Sequence, residues 1–243
     1  MKTIILIHAI SALLVITFLN HSANAIEPFR LTDLKKLTTE NNIYTIDELV
    51  PRLPTKIRDN AIFVYRSRAL KVERVTPETP RVILFNEDAS LILAFTKNPG
   101  TSIIEAGDDT LEIISYNSAE GKFEFFDAVF DGKNSPFKQS YPAKNPMTCL
   151  ACHGQNPRPI MHDYNAWPGI FGSYGQAGSA IKGSKEFTWL LEFSIKANSL
   201  SRYQHVNTRV FNKMDYISFA PTNRQPYAPI TRFGQQLEFL MFH

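Results

Sequence analysis

The only two cysteines of this 243-residue chain stand in Cys149-Leu150-Ala151-Cys152-His153. Two thiols at this spacing lie on one side of a single turn, and an imidazole follows at once. The set suits addition of each thiol to a vinyl group of a porphyrin, with His153 ligating the iron from one face. One covalently attached haem c is the cofactor that these residues point to. Three other uses of a Cys pair stay open at this point. A tight disulfide needs only the two thiols. A zinc site needs more soft ligands than one Cys pair and scattered histidines supply. A redox pair of thioredoxin type opens a helix after a buried strand, and no βαβ pattern precedes this one.

Iron on His153 has a second axial position to fill. Candidates are Met161, His162, His205, Met214, Met241 and His243. Methionine raises the potential and suits electron transfer, a second histidine lowers it, and an open position admits a small molecule or peroxide. Met161 and His162 follow His153 so closely that even an extended chain barely rounds a porphyrin edge. Spacing favours Met214 as the metal ligand, although Met214 and Met241 also serve as core fillers. Arg158, within Asn156-Pro157-Arg158-Pro159, could pair bidentately with a haem propionate. As an exposed loop arginine it needs no such role. Lys144 and Arg202 are weaker candidates for the same pairing.

The first 25 residues read as a secretory signal peptide. Lys2 is a short positive start, Ile4 to Leu19 is an apolar run, and Ala23-Asn24-Ala25 is a small-x-small cleavage site. The run is short for a bilayer-spanning helix, so an uncleaved anchor is the weaker alternative. C-type haem is attached outside the cytoplasm, so export and the Cys-x-x-Cys-His motif belong together. The expected location is the periplasm, or the exterior. Without the leader's one lysine the chain keeps 25 of its 26 basic side chains against 23 acidic ones, a net charge of +2. That balance argues against nucleic acid as a partner. No second apolar run is long enough to span a membrane. A redox partner protein is expected.

These residues need a scaffold. Leu31, Leu34 and Leu37 mark a helix, and Thr45-Ile46-Asp47-Glu48 is a capping box for a short second one that Pro51 ends. Runs at 61–65, 81–85, 91–95, 111–116 and 122–126 read as strands, with turns at 86–90 and 117–121. Connections this short exclude crossover helices, so the sheet should be largely antiparallel. Glu105, Asp108, Asp109, Glu112, Glu124 and Asp127 read as its solvated face and turns. Residues 131–168 are rich in proline and look irregular. Trp167-Pro168-Gly169-Ile170-Phe171-Gly172-Ser173-Tyr174-Gly175 could be a haem-pocket wall or a packed Ω-like loop. Ser184 can cap a helix to about Asn198 with Phe187, Leu190, Leu191 and Ile195 on one face, and Pro229 can begin another. The fold class is α+β: a domain at 26–135 with a largely antiparallel sheet, then a loop-rich and helical haem-binding region at 136–243.

Cys149 to His153, with Gly154 after it, resembles the attachment motif of c-type cytochromes. The chain also resembles a group of exported bacterial proteins with one Cys-x-x-Cys-His-Gly site and no assigned activity. Pro157-Arg158-Pro159, Trp167-Pro168-Gly169, Tyr174-Gly175, Tyr65-Arg66-Ser67 and Pro80-Arg81-Val82-Ile83 carry that likeness. The resemblance implies a cytochrome c-like haem region and one-electron transfer. A haem site after β structure is also similar to P460-type cytochromes and periplasmic haem-sensor domains. A haem-based sensor or small-molecule binding module is thus an alternative, and a peroxidase-like or P460-like oxidase another. Whether the chain is an enzyme stays open.

Overall fold

The computed structural model describes residues 27–66, 75–96, 109–138, 142–159, 169–171, 185–206 and 240. The leader, Met161, His162, Met214, Met241, His243, Glu105, Asp108, Ser184 and, apart from Leu240, the helix expected from Pro229 lie outside them. So do most of the glycine–aromatic run and all the inner residues of the 67–74 connection.

Five runs of β-branched and aromatic residues form one antiparallel sheet in the order β1 (Ala61–Val64), β2 (Arg81–Phe85), β3 (Leu91–Phe95), β4 (Asp109–Asn117) and β5 (Lys122–Phe130). The fold is α+β, with strands close to the expected positions. β1 and β3 are buried at every residue, and β2 at every residue but Arg81. Cover on both faces explains why these runs are continuously apolar. β4 and β5 carry polar positions because part of each remains near solvent. The turn between β2 and β3 is held by Asn86, whose Oδ1 accepts the Leu91 N–H at 3.1 Å and whose Nδ2 donates to the Phe29 carbonyl at 2.9 Å.

The register sorts the side chains onto two faces. One carries the row Ala61, Leu84, Leu93, Ile113 and Phe126, together with Phe63, Val82 and Phe95. The other carries the row Phe85, Ile92, Ile114 and Phe125, and beside it Ile62, Ile83, Ala94, Glu112 and Asp127.

Among the described residues five α-helices accompany the sheet: α1 (Leu31–Glu40), α2 (Ile46–Leu49), α3 (Thr55–Asp59), α4 (Met147–His153) and α5 (Lys185–Ala197). Thr45 caps α2 as its sequence predicts: Thr45 Oγ1 accepts the Glu48 N–H at 3.1 Å, and the Glu48 carboxylate accepts the Thr45 N–H at 3.2 Å. A 3-10 turn at Val50–Arg52 follows, with Pro51 inside it. α5 sits on the first face. Phe193 packs on Phe63 at 5.2 Å and on Tyr203 at 5.2 Å between ring centroids. Burying one such ring stabilises by roughly 1.5–3 kcal/mol. The buried stripe of α5 is Leu190, Phe193, Ser194 and Ala197, whereas Leu191 and Ile195 are exposed. The buried face is therefore rotated from the one that the apolar spacing predicts. Adjacent apolar residues allow two overlapping stripes, and the aromatic ring of Phe193 decides between them.

The chain after α5 is pinned by a buried charge. Arg202 donates from Nε to Asp47 Oδ1 at 2.8 Å, from Nη1 to the Thr96 carbonyl at 2.8 Å, and from Nη2 to the Asp109 carboxylate. Its guanidinium is thus committed to protein partners, not to a propionate. Lys144 is likewise bound, to Glu124 at 2.6 Å. One apolar cluster holds residues from both sides of position 135, Phe63 and Phe126 as well as Ile170, Phe193 and Tyr203.

Residues 169–171 run beside β1. Phe171 N–H donates to the Phe63 carbonyl at 3.0 Å, and Tyr65 N–H to the Gly169 carbonyl at 2.8 Å. Gly169 has φ +92°, and a Cβ there would overlap the Arg66 carbonyl oxygen. The described part of the glycine–aromatic run therefore packs against backbone at the β1 edge and forms no pocket wall near the motif.

Candidate functional site

The Cys-x-x-Cys-His motif lies on α4, a regular two-turn helix where irregular backbone was expected. Pro146 precedes it with extended backbone (φ −62°, ψ 150°). Its carbonyl accepts the N–H groups of Cys149 at 2.9 Å and Leu150 at 3.0 Å, which starts the first turn. Cys149, Cys152 and His153 are related by i, i+3 and i+4, so they share one helix face.

Asn145 docks this helix on the sheet. It donates its N–H to the Phe125 carbonyl at 2.8 Å, and its Oδ1 accepts the Phe125 N–H at 2.9 Å. Both backbone groups on the outer side of β5 at Phe125 are thereby paired. Asn145 takes φ +52°, a conformation that asparagine tolerates better than most residues. Nothing in the sequence reading singled it out; the Asn-Pro step before the motif is the turn signal that could have.

From there α4 lies over the second face. The His153 ring packs on Phe125 at 4.6 Å between centroids, tilted by 42°. Its Nδ1 lies 2.6 Å from the Arg158 carbonyl oxygen. A carbonyl only accepts, so Nδ1 carries the proton and Nε2 of the neutral ring keeps a lone pair for a metal. Gly154 makes this possible. It ends the helix with φ +79° and ψ 178°, a region open essentially to glycine alone, and its N–H returns to the Leu150 carbonyl at 2.9 Å. Arg158 itself is exposed. What meets the imidazole is its backbone carbonyl and not its guanidinium.

The two thiols differ. Neither is in a disulfide; Cys152 is exposed and Cys149 half-buried. Cys149 Sγ lies 3.5 Å from Asp127 Oδ1, and Asp127 Oδ2 accepts the Thr148 hydroxyl at 2.8 Å. Burial, then the Asp127 carboxylate and the more distant Glu112, push the Cys149 thiol up to about 12. Glu112 stands directly opposite Asp127 in the sheet and binds Arg81 from β2. Two carboxylates side by side repel, and the Arg81 guanidinium offsets part of that. The described strand carboxylates are thus partnered and not merely solvated: Asp109 with Arg202, Glu112 with Arg81, Glu124 with Lys144, Asp127 with α4.

A depression of about 400 Å³ adjoins the C-terminal end of α4, bordered by Phe123, Lys122, Glu124, Lys144, Asn145 and Asn156. Its wall is polar and its charges are mixed. Among the described residues no group of three His, Cys, Asp or Glu side chains converges on a site for a bare metal ion. No helix among them is long and apolar enough to cross a membrane.

Of the second-ligand candidates, His205 alone is described. It follows Arg202 and Tyr203, which contact Phe95 and Phe193 on the first face. Its carbonyl accepts from Arg58 at 3.3 Å. His153 is on the second face, so the sheet lies between the two histidines, and His205 is not placed to share a ligand with His153. The structure brings together Cys149, Cys152, His153 and the Arg158 carbonyl; it keeps Arg202 and His205 apart from them.

The donor set fits a c-type haem: two cysteines and one imidazole on a common helix face, with Nδ1 anchored and Nε2 available. Comparison with known proteins finds no matching family model, no matching curated protein and no matching solved structure.

Proposed function

We propose that this chain binds one haem c through thioethers at Cys149 and Cys152, with His153 as an axial ligand, and passes single electrons to a redox partner in the periplasm. The observation that carries the reading is the hydrogen bond from His153 Nδ1 to the Arg158 carbonyl at 2.6 Å, within a Cys-x-x-Cys-His helix. That bond sets the tautomer and aims Nε2, as metal-ligating histidines require. Bound haem supplies a one-electron ferric–ferrous couple. The protein's own part is to hold and orient. Asn145 fixes α4 on β5, Phe125 backs the imidazole ring, and Gly154 allows the turn that returns the Arg158 carbonyl. Met214 is the proposed second ligand on spacing, and the Arg158 guanidinium, on the loop after α4, is the proposed partner of a propionate. Residues 1–25 supply the export that attachment needs.

The test is expression in a host with haem-maturation machinery, followed by mass spectrometry and a pyridine haemochrome spectrum. One haem mass added to the chain, lost in the Cys149→Ser/Cys152→Ser double variant, supports the proposal. A colourless product with two unmodified cysteines overturns it.

A further inference from the structure

We infer that Asp127 is a positioning residue for the attachment reaction: it holds the Cys149 thiol and thereby makes Cys152 form its thioether first. The inference rests on the haem reading above. Each cysteine adds S–H across a vinyl double bond. A C–S bond forms, the thiol hydrogen goes to the terminal vinyl carbon, nothing leaves and no oxidant is needed.

Both thiols belong to the same two-turn helix, yet their surroundings are opposite. Cys152 faces solvent and Cys149 is half-buried against the sheet. Cys149 Sγ has a carboxylate 3.5 Å away, and that carboxylate is itself fixed by the Thr148 hydroxyl at 2.8 Å. The charged groups around Cys149 from each neighbouring strand are Asp127 on β5, Glu112 on β4 and Arg81 on β2, the last paired to Glu112. Net negative charge surrounds the thiol, and it disfavours the thiolate that does the attacking. A nucleophile of higher pKa is intrinsically better, which returns part of the loss, so the expected disadvantage is roughly tenfold to a hundredfold. Among the described residues, no corresponding carboxylate contact is made by Cys152. Reaction at Cys152 then tethers the porphyrin beside Cys149, and proximity compensates for the slower thiol.

The experiment has two arms. In protein made without maturation machinery, iodoacetamide labelling is followed at each cysteine by peptide mass spectrometry. Cys152 should label at least about tenfold faster than Cys149. Asp127→Asn should speed Cys149 severalfold and leave Cys152 unchanged, while Asp127→Glu keeps the charge and restores slow labelling. A merely structural role for Asp127 would speed both cysteines together and lower the melting temperature. In a maturation-competent host, Cys149→Ser should retain severalfold more single-thioether haem than Cys152→Ser, and Asp127→Asn should close that gap. Equal labelling of the two thiols in protein made without maturation machinery, or equal yields from the two serine variants in a host whose wild-type product is coloured, overturns this inference and leaves the haem reading standing. Colourless wild-type protein from the competent host overturns both.

Discussion

Replacing Arg202 by Met separates the stability of the fold from the chemistry of the site. The Arg202 side chain is only 7% exposed, and its partners Asp109 and Asp47 are 14% and 38% exposed. Removing the cation strands Asp109 in a dry environment and leaves the Thr96 carbonyl without its 2.8 Å donor. Breaking a buried ion pair from one side costs about 3–5 kcal/mol. Asp47 regains water, which places the expected loss near the lower end, about 3 kcal/mol. For a chain of this size that corresponds to a fall in Tm of about 6–12 °C. Urea unfolding followed by tryptophan fluorescence measures the loss directly. Because the triad sits on the face opposite α4, haem attachment measured by mass should be unchanged. The double variant Arg202→Met/Asp109→Asn removes the stranded charge and should recover a good part of the stability, since the penalty lies in the unpaired carboxylate. A loss below about 1 kcal/mol for the single variant would refute the claim that this network is desolvated.

Gly154→Ala should cost about 1–3 kcal/mol from backbone strain and displace the Arg158 carbonyl, lowering haem yield; haemochrome absorbance per milligram of protein reads it. Arg158→Ala keeps the backbone carbonyl, so attachment should persist at wild-type yield, and a colourless Arg158→Ala protein would show that the guanidinium matters more than the carbonyl. Asn145→Ala removes the side-chain acceptor for the Phe125 N–H on the outer side of β5 and should destabilise the fold by about 1–3 kcal/mol, as an unsatisfied backbone group does, which denaturant titration can measure. His205→Ala should leave the optical spectrum of the loaded protein unchanged, whereas Met214→Ala should open the ferrous form to carbon monoxide; a spectral change in the first variant would contradict the separation of the two histidines by the sheet.

Much of the architecture was readable from residue order because it depends on local pattern. Runs such as Arg81–Phe85 and Leu91–Phe95 have no helical period, and the short Asn86–Ser90 turn between them leaves antiparallel pairing as the only connection. The capping box at Thr45 and Glu48 is contained within four residues, so its geometry follows from spacing. The buried stripe on α5 is not decided by the sequence because Leu190, Leu191 and Phe193 satisfy two helical faces at once, and only Phe63 and Tyr203, remote in sequence, select one.

At the candidate site the division is sharper. The types and spacing of Cys149, Cys152 and His153 came from the sequence alone, since one helical turn is enough to bring those groups together. Tertiary structure decided everything that differentiates them. The imidazole is aimed by a backbone carbonyl, which has no side-chain signature. Asp127 reaches Cys149 because β5 lies under α4, although the two residues are far apart in the chain. Arg202 is lost as a propionate partner for the same reason: Asp47 and Asp109 converge on it from elements that only the packed sheet brings within reach.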